Sequence, residues 1–359
     1  MKSETEMAHA TSHRLDDSMT AIQFGRVRLG TSTAPRYRPA RDTGGVEIEA
    51  VLPELREPMK RAQAKAPRWL LRVAVRMLRV PRSEAVRVRT VKLATASVRV
   101  YEPVEAAGGG AAPTHAAAPA LLWIHGGGLL FGDAKQDESL CLSTAERLGL
   151  VIVSANYRFA PEHPFPAAHD DVHAAWSWLV AHAGDLGVDP ERLAIGGESA
   201  GAGLAAGLVQ RLHDEGGVQP VAQWLFAPMI DDRTAADRSL DALDHFVWNN
   251  ASNREGWSGY LGRAPGDPSD AAVPPYASPA RRPDLTGLPP AFLSWADIEL
   301  FAAEDGAYAD RLRASGVEVH TDVVAGGVHG FENWAATTPV AQALITRAQT
   351  WLEGALARA

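Results

Sequence analysis

The sequence predicts an α/β architecture: a mostly parallel central sheet of about eight strands, helices on both faces, and a helical cap. Three observations carry this expectation. Short apolar runs of strand length alternate along the chain with helical segments, as in sheets covered on both faces. Two of those runs, Leu121-Leu122-Trp123-Ile124 and Leu193-Ala194-Ile195-Gly196, lead directly into glycine-bearing loops. Finally, 359 residues at 46% hydrophobic content suit one large core with accessory helices better than two independent domains.

Residues 1–20 are polar and mixed in charge, lack the apolar centre of a signal peptide, and read as a disordered tail. Residues 21–85 form an N-terminal cap segment, helical from Val46 to Pro81. There Arg68, Arg72, Arg76 and Arg79 share one stripe and Trp69, Leu70, Val73, Met77 and Leu78 another. The favoured orientation sets the apolar stripe on the mouth of the site and the arginines in water; a helix lying on an anionic membrane is the alternative. Val86–Leu93 and Ser97–Tyr101 alternate with period two and read as an edge hairpin. Glu105–Pro119, rich in Gly, Ala and Pro, reads as a loop.

The catalytic domain, 86–359, continues with strands at Leu121–Ile124, Val151–Ala155, Leu193–Gly196, Gln223–Phe226, Ala291–Trp295 and Val319–Val324. Helices are expected at Glu138–Leu148, Ala167–Ala183, Ala202–His213, Asp305–Ala314 and Pro339–Leu356. Periodicity breaks down over about 230–290, which reads as an insertion completing the cap. Phe246, Trp248 and Trp257 within it either face the substrate or pack the lid.

Gly197-Glu198-Ser199-Ala200-Gly201 is a strand, a turn and a helix start with serine at the apex. Small residues on both sides of the serine allow the sharp turn that lifts a nucleophilic hydroxyl above a sheet. His125-Gly126-Gly127-Gly128 has no side chains at its glycines to block an approaching ligand. With the N–H of Ala200, those of Gly126 and Gly127 are candidates for an oxyanion hole. No Lys-Ser/Thr pair follows these glycines, so a P-loop is disfavoured. A serine also needs a base and an acid to orient it. His329, flanked by glycines after the last strand, is the candidate base; Asp297 and Glu299, after the preceding strand, are the candidate acids.

Taken together, His125-Gly126-Gly127-Gly128, Tyr157-Arg158-Phe159-Ala160-Pro161-Glu162-His163-Pro164-Phe165-Pro166-Ala167, Gly197-Glu198-Ser199-Ala200-Gly201 and His329-Gly330-Phe331 resemble the bacterial hormone-sensitive-lipase-like esterases, a branch of the α/β-hydrolase fold. The resemblance runs from about Arg89 to Leu356. It implies a carboxylic-ester hydrolase acting through an acyl-enzyme on short to medium acyl esters, with Ser199, His329 and an acid as triad. In that family the acid is usually Asp ahead of an Ala-Tyr-Ala-like segment; Glu299, ahead of Ala307-Tyr308-Ala309, takes its place and is preferred to Asp297. Glu198 stands where the family most often has Asp and receives no chemical role. His125 braces the oxyanion loop, and Tyr157 and Asp170 fix loops around the site. Homo-oligomers are common among such enzymes.

Neither cofactor nor metal is implied. The formal charge of −8 argues against nucleic-acid partners. A single cysteine, Cys141, is expected buried on a helix and fits a reducing cytoplasm. No apolar run is long enough for stable membrane insertion, and the expected partner is a small-molecule ester. Amidase or acyltransferase chemistry with the same triad is the alternative within enzymes; a ligand receptor on the same fold is the alternative outside them, disfavoured by the presence of His329.

Overall fold

The computed structural model describes residues 45–62, 68–104, 117–269 and 273–358, with backbone alone at 68 and 69. The tail 1–20, residues 21–44 of the N-terminal segment, 105–116 of the expected loop and the side chains of Arg68 and Trp69 lie outside the described residues.

Eight strands form one sheet: β1 (Val86–Lys92), β2 (Ser97–Pro103), β3 (Ala118–Ile124), β4 (Val151–Asn156), β5 (Val188–Glu198), β6 (Ala222–Phe226), β7 (Ala291–Ala296) and β8 (Val319–Val324). Their order is β1-β2-β4-β3-β5-β6-β7-β8. The β1–β2 and β2–β4 pairings are antiparallel and the others parallel. The expected hairpin thus occupies one edge. From β3 the chain steps outward to β4, then crosses back to β5 on β3's other side. That reversal opens a crevice at the carboxyl ends of β3 and β5, where ligands bind in open α/β sheets.

Alternate residues of each central strand feed two cores. Leu122, Ile124, Val153, Ile195, Leu225 and Leu293 pack on one face; Leu121, Trp123, Ile152, Trp224, Phe226 and Phe292 pack on the other. The first face is covered by α4 (Ala167–Ala181), α5 (Ala200–Glu215) and α8 (Ala302–Ala314), through residues such as Val172, Leu204 and Leu312. The second is covered by α3 (Glu138–Leu148) and α10 (Pro339–Ala357), through Cys141, Leu344 and Leu352. Cys141 is buried, as expected for an apolar helix position.

The N-terminal segment departs from its expected form. Helix does not run from Val46 to Pro81: the described α-helices there are α1 (Pro53–Ala62) and α2 (Arg68–Arg76), and the backbone at 46–47, 51–52 and 78–81 is not helical. α1 is amphipathic in the expected sense, with Leu55 and Met59 fully buried in the second core. α2 has the reverse orientation. The Arg72 guanidinium faces the body of the protein, donating to the Leu130 carbonyl at 2.9 Å, to the Ala160 carbonyl and, through two nitrogens, to Glu162. It also lies 5.6 Å from the Phe159 ring centroid. Leu70, Val73, Met77 and Leu78 face solvent instead. Several charge-assisted bonds from one guanidinium outweigh the burial of a few aliphatic side chains on a nine-residue helix.

Within 230–290 lie α6 (Asp232–Ala236) and α7 (Asn250–Leu261). Trp257 is in the first core and takes the packing role; Phe246 leans on the second core. Trp248 lies over Gly128, since a methyl added there would come 2.0 Å from its ring. The buried Glu304 of α8 accepts from the N–H groups of Ile230 and Asp231, fixing where this segment leaves the sheet. A four-residue helix, α9 (Phe331–Trp334), follows β8 and precedes α10.

Candidate active site

The turn between β5 and α5 holds Ser199 at φ 55° and ψ −121°, a conformation non-glycine residues rarely adopt. The Ser199 N–H donates to the Phe226 carbonyl at 2.8 Å, and its own carbonyl accepts from Gly203 and Met229. The flanking glycines are dictated by space. A Cβ on Gly201 would stand 2.1 Å from the Ile124 carbonyl oxygen, and one on Gly197 would stand 2.6 Å from Gly201. Only glycine lets β3, the elbow and α5 come this close.

Ser199 Oγ lies 2.8 Å from His329 Nε2, and His329 Nδ1 lies 2.5 Å from Glu299 Oε2. All three side chains are buried. A carboxylate can only accept, so the proton sits on Nδ1 and leaves Nε2 free to accept from the serine hydroxyl. The second oxygen of Glu299 accepts from the Ala296 N–H at 2.8 Å, which anchors the carboxylate to the end of β7. His329 is held by Trp334, whose indole N–H donates to its carbonyl, and by the Phe301 ring edge-on at 5.2 Å. Asp297 points elsewhere: its Oδ1 accepts from the Gly326 N–H at 2.7 Å. Of the two candidate acids, the structure brings Glu299 to the histidine.

Gly126 and Gly127 follow β3 beside the serine. Among the described residues, no backbone hydrogen bond in the turns and loops takes up their N–H groups or that of Ala200, the first residue of α5. Gly126 is packed against the elbow, where an added Cβ would lie 3.3 Å from the Ser199 Cβ. Behind the loop, Tyr157 Oη donates to the His125 carbonyl at 2.9 Å. Its ring stacks on His125 at 4.5 Å. The His125 Nδ1–H donates to the Gly126 carbonyl, and burial pushes its pKa down to about 4, so the ring stays neutral. His125 and Tyr157 therefore brace the loop as anticipated.

Asp170 does not. It pairs with Arg211 on the surface, while its neighbour Asp171, fully buried, accepts from the Arg158 side chain and backbone and from Thr95. The two aspartates are adjacent on α4 and differ only in which side of the helix meets the sheet. That distinction needs the docked helix.

Sequence reasoning also missed a buried acidic group behind the elbow. Glu198 and Asp137 both accept from Asn333, and Asp137 accepts from the Trp123 indole at 2.7 Å. With Glu332 they line a small cavity of about 40 Å³. Desolvation pushes Asp137 and Glu332 up to about 7 and Glu198 well above the ordinary carboxylate range. His245, from the 230–290 segment, is buried within electrostatic reach of Glu299. Neither feature lies in a recognisable motif beyond Glu198 itself. Among the described residues, no cluster of His, Cys, Asp and Glu is arranged to hold a metal ion.

Residues 121–333 match the model of a family described as having the alpha/beta hydrolase fold. That span runs from β3 through the glycine loop, the serine turn and His329. The chain belongs to the bacterial hormone-sensitive-lipase-like esterases of this fold. Among the esterases it resembles, the carboxylic ester hydrolase LipN of Mycobacterium tuberculosis is 37% identical over 241 residues, covering 66% of this chain and 60% of LipN. The carboxylesterase NlhH of the same organism is 35% identical over 240 residues, covering 66% of this chain and 74% of NlhH. Among solved structures, a bacterial heroin esterase superposes with a TM-score of 0.75 at 33% identity, covering 86% of this chain and 99% of that one. The family match thus begins within β3 and extends well beyond the elbow, through β4 to β8 and the loop that carries His329.

Proposed function

We propose that this esterase-family enzyme hydrolyses carboxylic esters through an acyl-enzyme, with Ser199 as nucleophile, His329 as general base and acid, and Glu299 as its orienting carboxylate. The observation that carries the reading is the continuous chain Ser199 Oγ, His329 Nε2, His329 Nδ1, Glu299 Oε2, with the N–H groups of Gly126, Gly127 and Ala200 in the adjoining turns and without a backbone acceptor among the described residues.

Ser199 Oγ attacks the ester carbonyl carbon while its proton passes to His329 Nε2. The carbonyl oxygen, now negative, takes hydrogen bonds from Gly126, Gly127 and Ala200, where one donor is worth ~3–4 kcal/mol in the transition state. The tetrahedral intermediate collapses as His329 returns its proton to the departing alkoxide, so an alcohol leaves. Water then attacks the acyl-enzyme by the same route in reverse, releasing the acid and restoring the serine. Glu299 remains ionised throughout and stabilises the imidazolium.

α1, α2 and the 230–290 segment are assigned to the cap. Its contact with the glycine loop through Trp248 supports a pocket for small esters with short to medium acyl chains. Hydrolysis of p-nitrophenyl esters of rising acyl length, by wild type and Ser199→Ala in parallel, tests the reading. Turnover that Ser199→Ala lowers by ~10⁵-fold or more is expected, with an optimum at short or medium chains. A folded wild type inert on every ester but active on the matching anilides would transfer the triad to amide chemistry.

A further inference from the structure

α2 and the turn after it present to solvent what an amphipathic helix ordinarily hides. Leu70, Val73, Met77 and Leu78 are 42%, 50%, 76% and 46% exposed. They stand together along one side, because residues three and four apart share a helix face. Arg76, Arg79 and Arg82 are exposed beside them, and the stretch 68–83 contains five arginines and no acidic residue in a chain of net charge −8. Arg72 riveted to Leu130, Ala160 and Glu162 holds the helix in this orientation, so the exposed stripe is fixed by the fold. Through Arg72 the helix is tied to Leu130, just beyond the glycine loop.

We propose that this face docks on the surface of an anionic phospholipid bilayer, with the aliphatic stripe entering the headgroup boundary and the arginines meeting lipid phosphates. Charge decides the choice of occupant. A second copy laid on the same stripe would set arginines against arginines, whereas an anionic lipid surface attracts each of them. Among the described residues no helix is long and apolar enough to cross a membrane, so the association is peripheral. Each arginine near such a surface changes partitioning roughly five-fold, and each apolar side chain adds to this.

The test is flotation of the full chain with vesicles of phosphatidylcholine containing phosphatidylglycerol, against phosphatidylcholine alone. Binding is read without turnover, so the result is independent of the ester reaction. Wild type is expected to float with the anionic vesicles and to be released as salt rises from ~0.1 to ~0.5 M. Leu70→Ser/Val73→Ser/Met77→Ser and, separately, Arg76→Gln/Arg79→Gln are each expected to lower the bound fraction at least ~10-fold. Both sets alter exposed side chains, and thermal melts check that each variant stays folded. Failure of wild type to float, undiminished flotation of both folded variants, or a wild-type dimer that the serine variant dissociates would overturn the proposal, the last by assigning the stripe to self-association.

Discussion

Glu299 and Asp297 are two residues apart, yet only one reaches the imidazole. Glu299 has the extra methylene, and from the turn after β7 it spans to His329 while its second oxygen stays tied to the Ala296 N–H. Asp297 is occupied with Gly326 in the turn that leads to the histidine. Glu299→Gln is therefore expected to lower kcat/KM by ~10³–10⁴-fold with KM little changed, because the neutral amide neither fixes the tautomer nor stabilises the imidazolium. Asp297→Asn keeps activity within ~10-fold and costs about 1–2 kcal/mol of stability in a urea melt, since a charged acceptor for a backbone N–H is lost. Equal losses of kcat in the two variants would contradict this division.

At the scale of elements, the site depends on three turns held in register by groups that never touch substrate. One of them is the glycine loop after β3. The Leu130 and Phe131 N–H groups donate back to the Gly127 carbonyl, with Gly127 at φ +114°, and an added Cβ there would stand 2.0 Å from the Phe131 oxygen. Gly127→Ala must open this turn, and a drop in kcat of ~10²–10³-fold is expected as one oxyanion donor moves away. The second strap is Asp171, which links α4, Arg158 and the turn after β1. Asp171→Ala leaves the Arg158 guanidinium, itself about one-third exposed, without its carboxylate. The expected cost is ~2–3 kcal/mol, below the range for a wholly buried pair because water reaches the arginine. Chemical denaturation reads that loss directly.

Over the whole molecule, burial sets how stability follows pH. Asp137 and Glu332 titrate near 7 in the fold because they are desolvated, and Glu198 is displaced in the same direction. Groups raised on folding bind protons more tightly in the native state, so the stability they contribute is fully present below the unfolded carboxylate pKa of about 4 and is lost progressively as pH rises from there to about 7. Buried His125 and His169 are pushed down to about 4, and burial also lowers His245. Below about 6.5 the unfolded chain protonates such histidines and the native one does not, so stability falls again on the acid side. The two sets therefore act in opposite directions over much the same range, from about pH 4 to about 7. Glu332→Gln removes one carboxylate from this balance, so the melting temperature of the variant relative to wild type is expected to rise as pH goes from ~4.5 to ~7; a difference that stays constant over that range would contradict the argument.

Much of this was legible without coordinates. Apolar strand runs, the Gly-x-Ser-x-Gly turn, the glycine loop and the order serine, acid, histidine are local or sequential features, and each follows from what a short stretch of backbone permits. They lead to the sheet, to the elbow and to Ser199, Gly126, Gly127, Ala200 and His329. Tertiary structure decided whatever depends on which side of an element meets its neighbour. Asp171 rather than Asp170 turns inward, Glu198 joins Asp137 and Glu332 behind Ser199, and α2 puts its arginine inside and its aliphatic stripe outside. Helical periodicity reports that two faces differ. Which of them is buried is set by the partners that the rest of the fold supplies, here two carbonyls and a carboxylate gathered around Arg72 from loops 58 to 90 residues away in the chain.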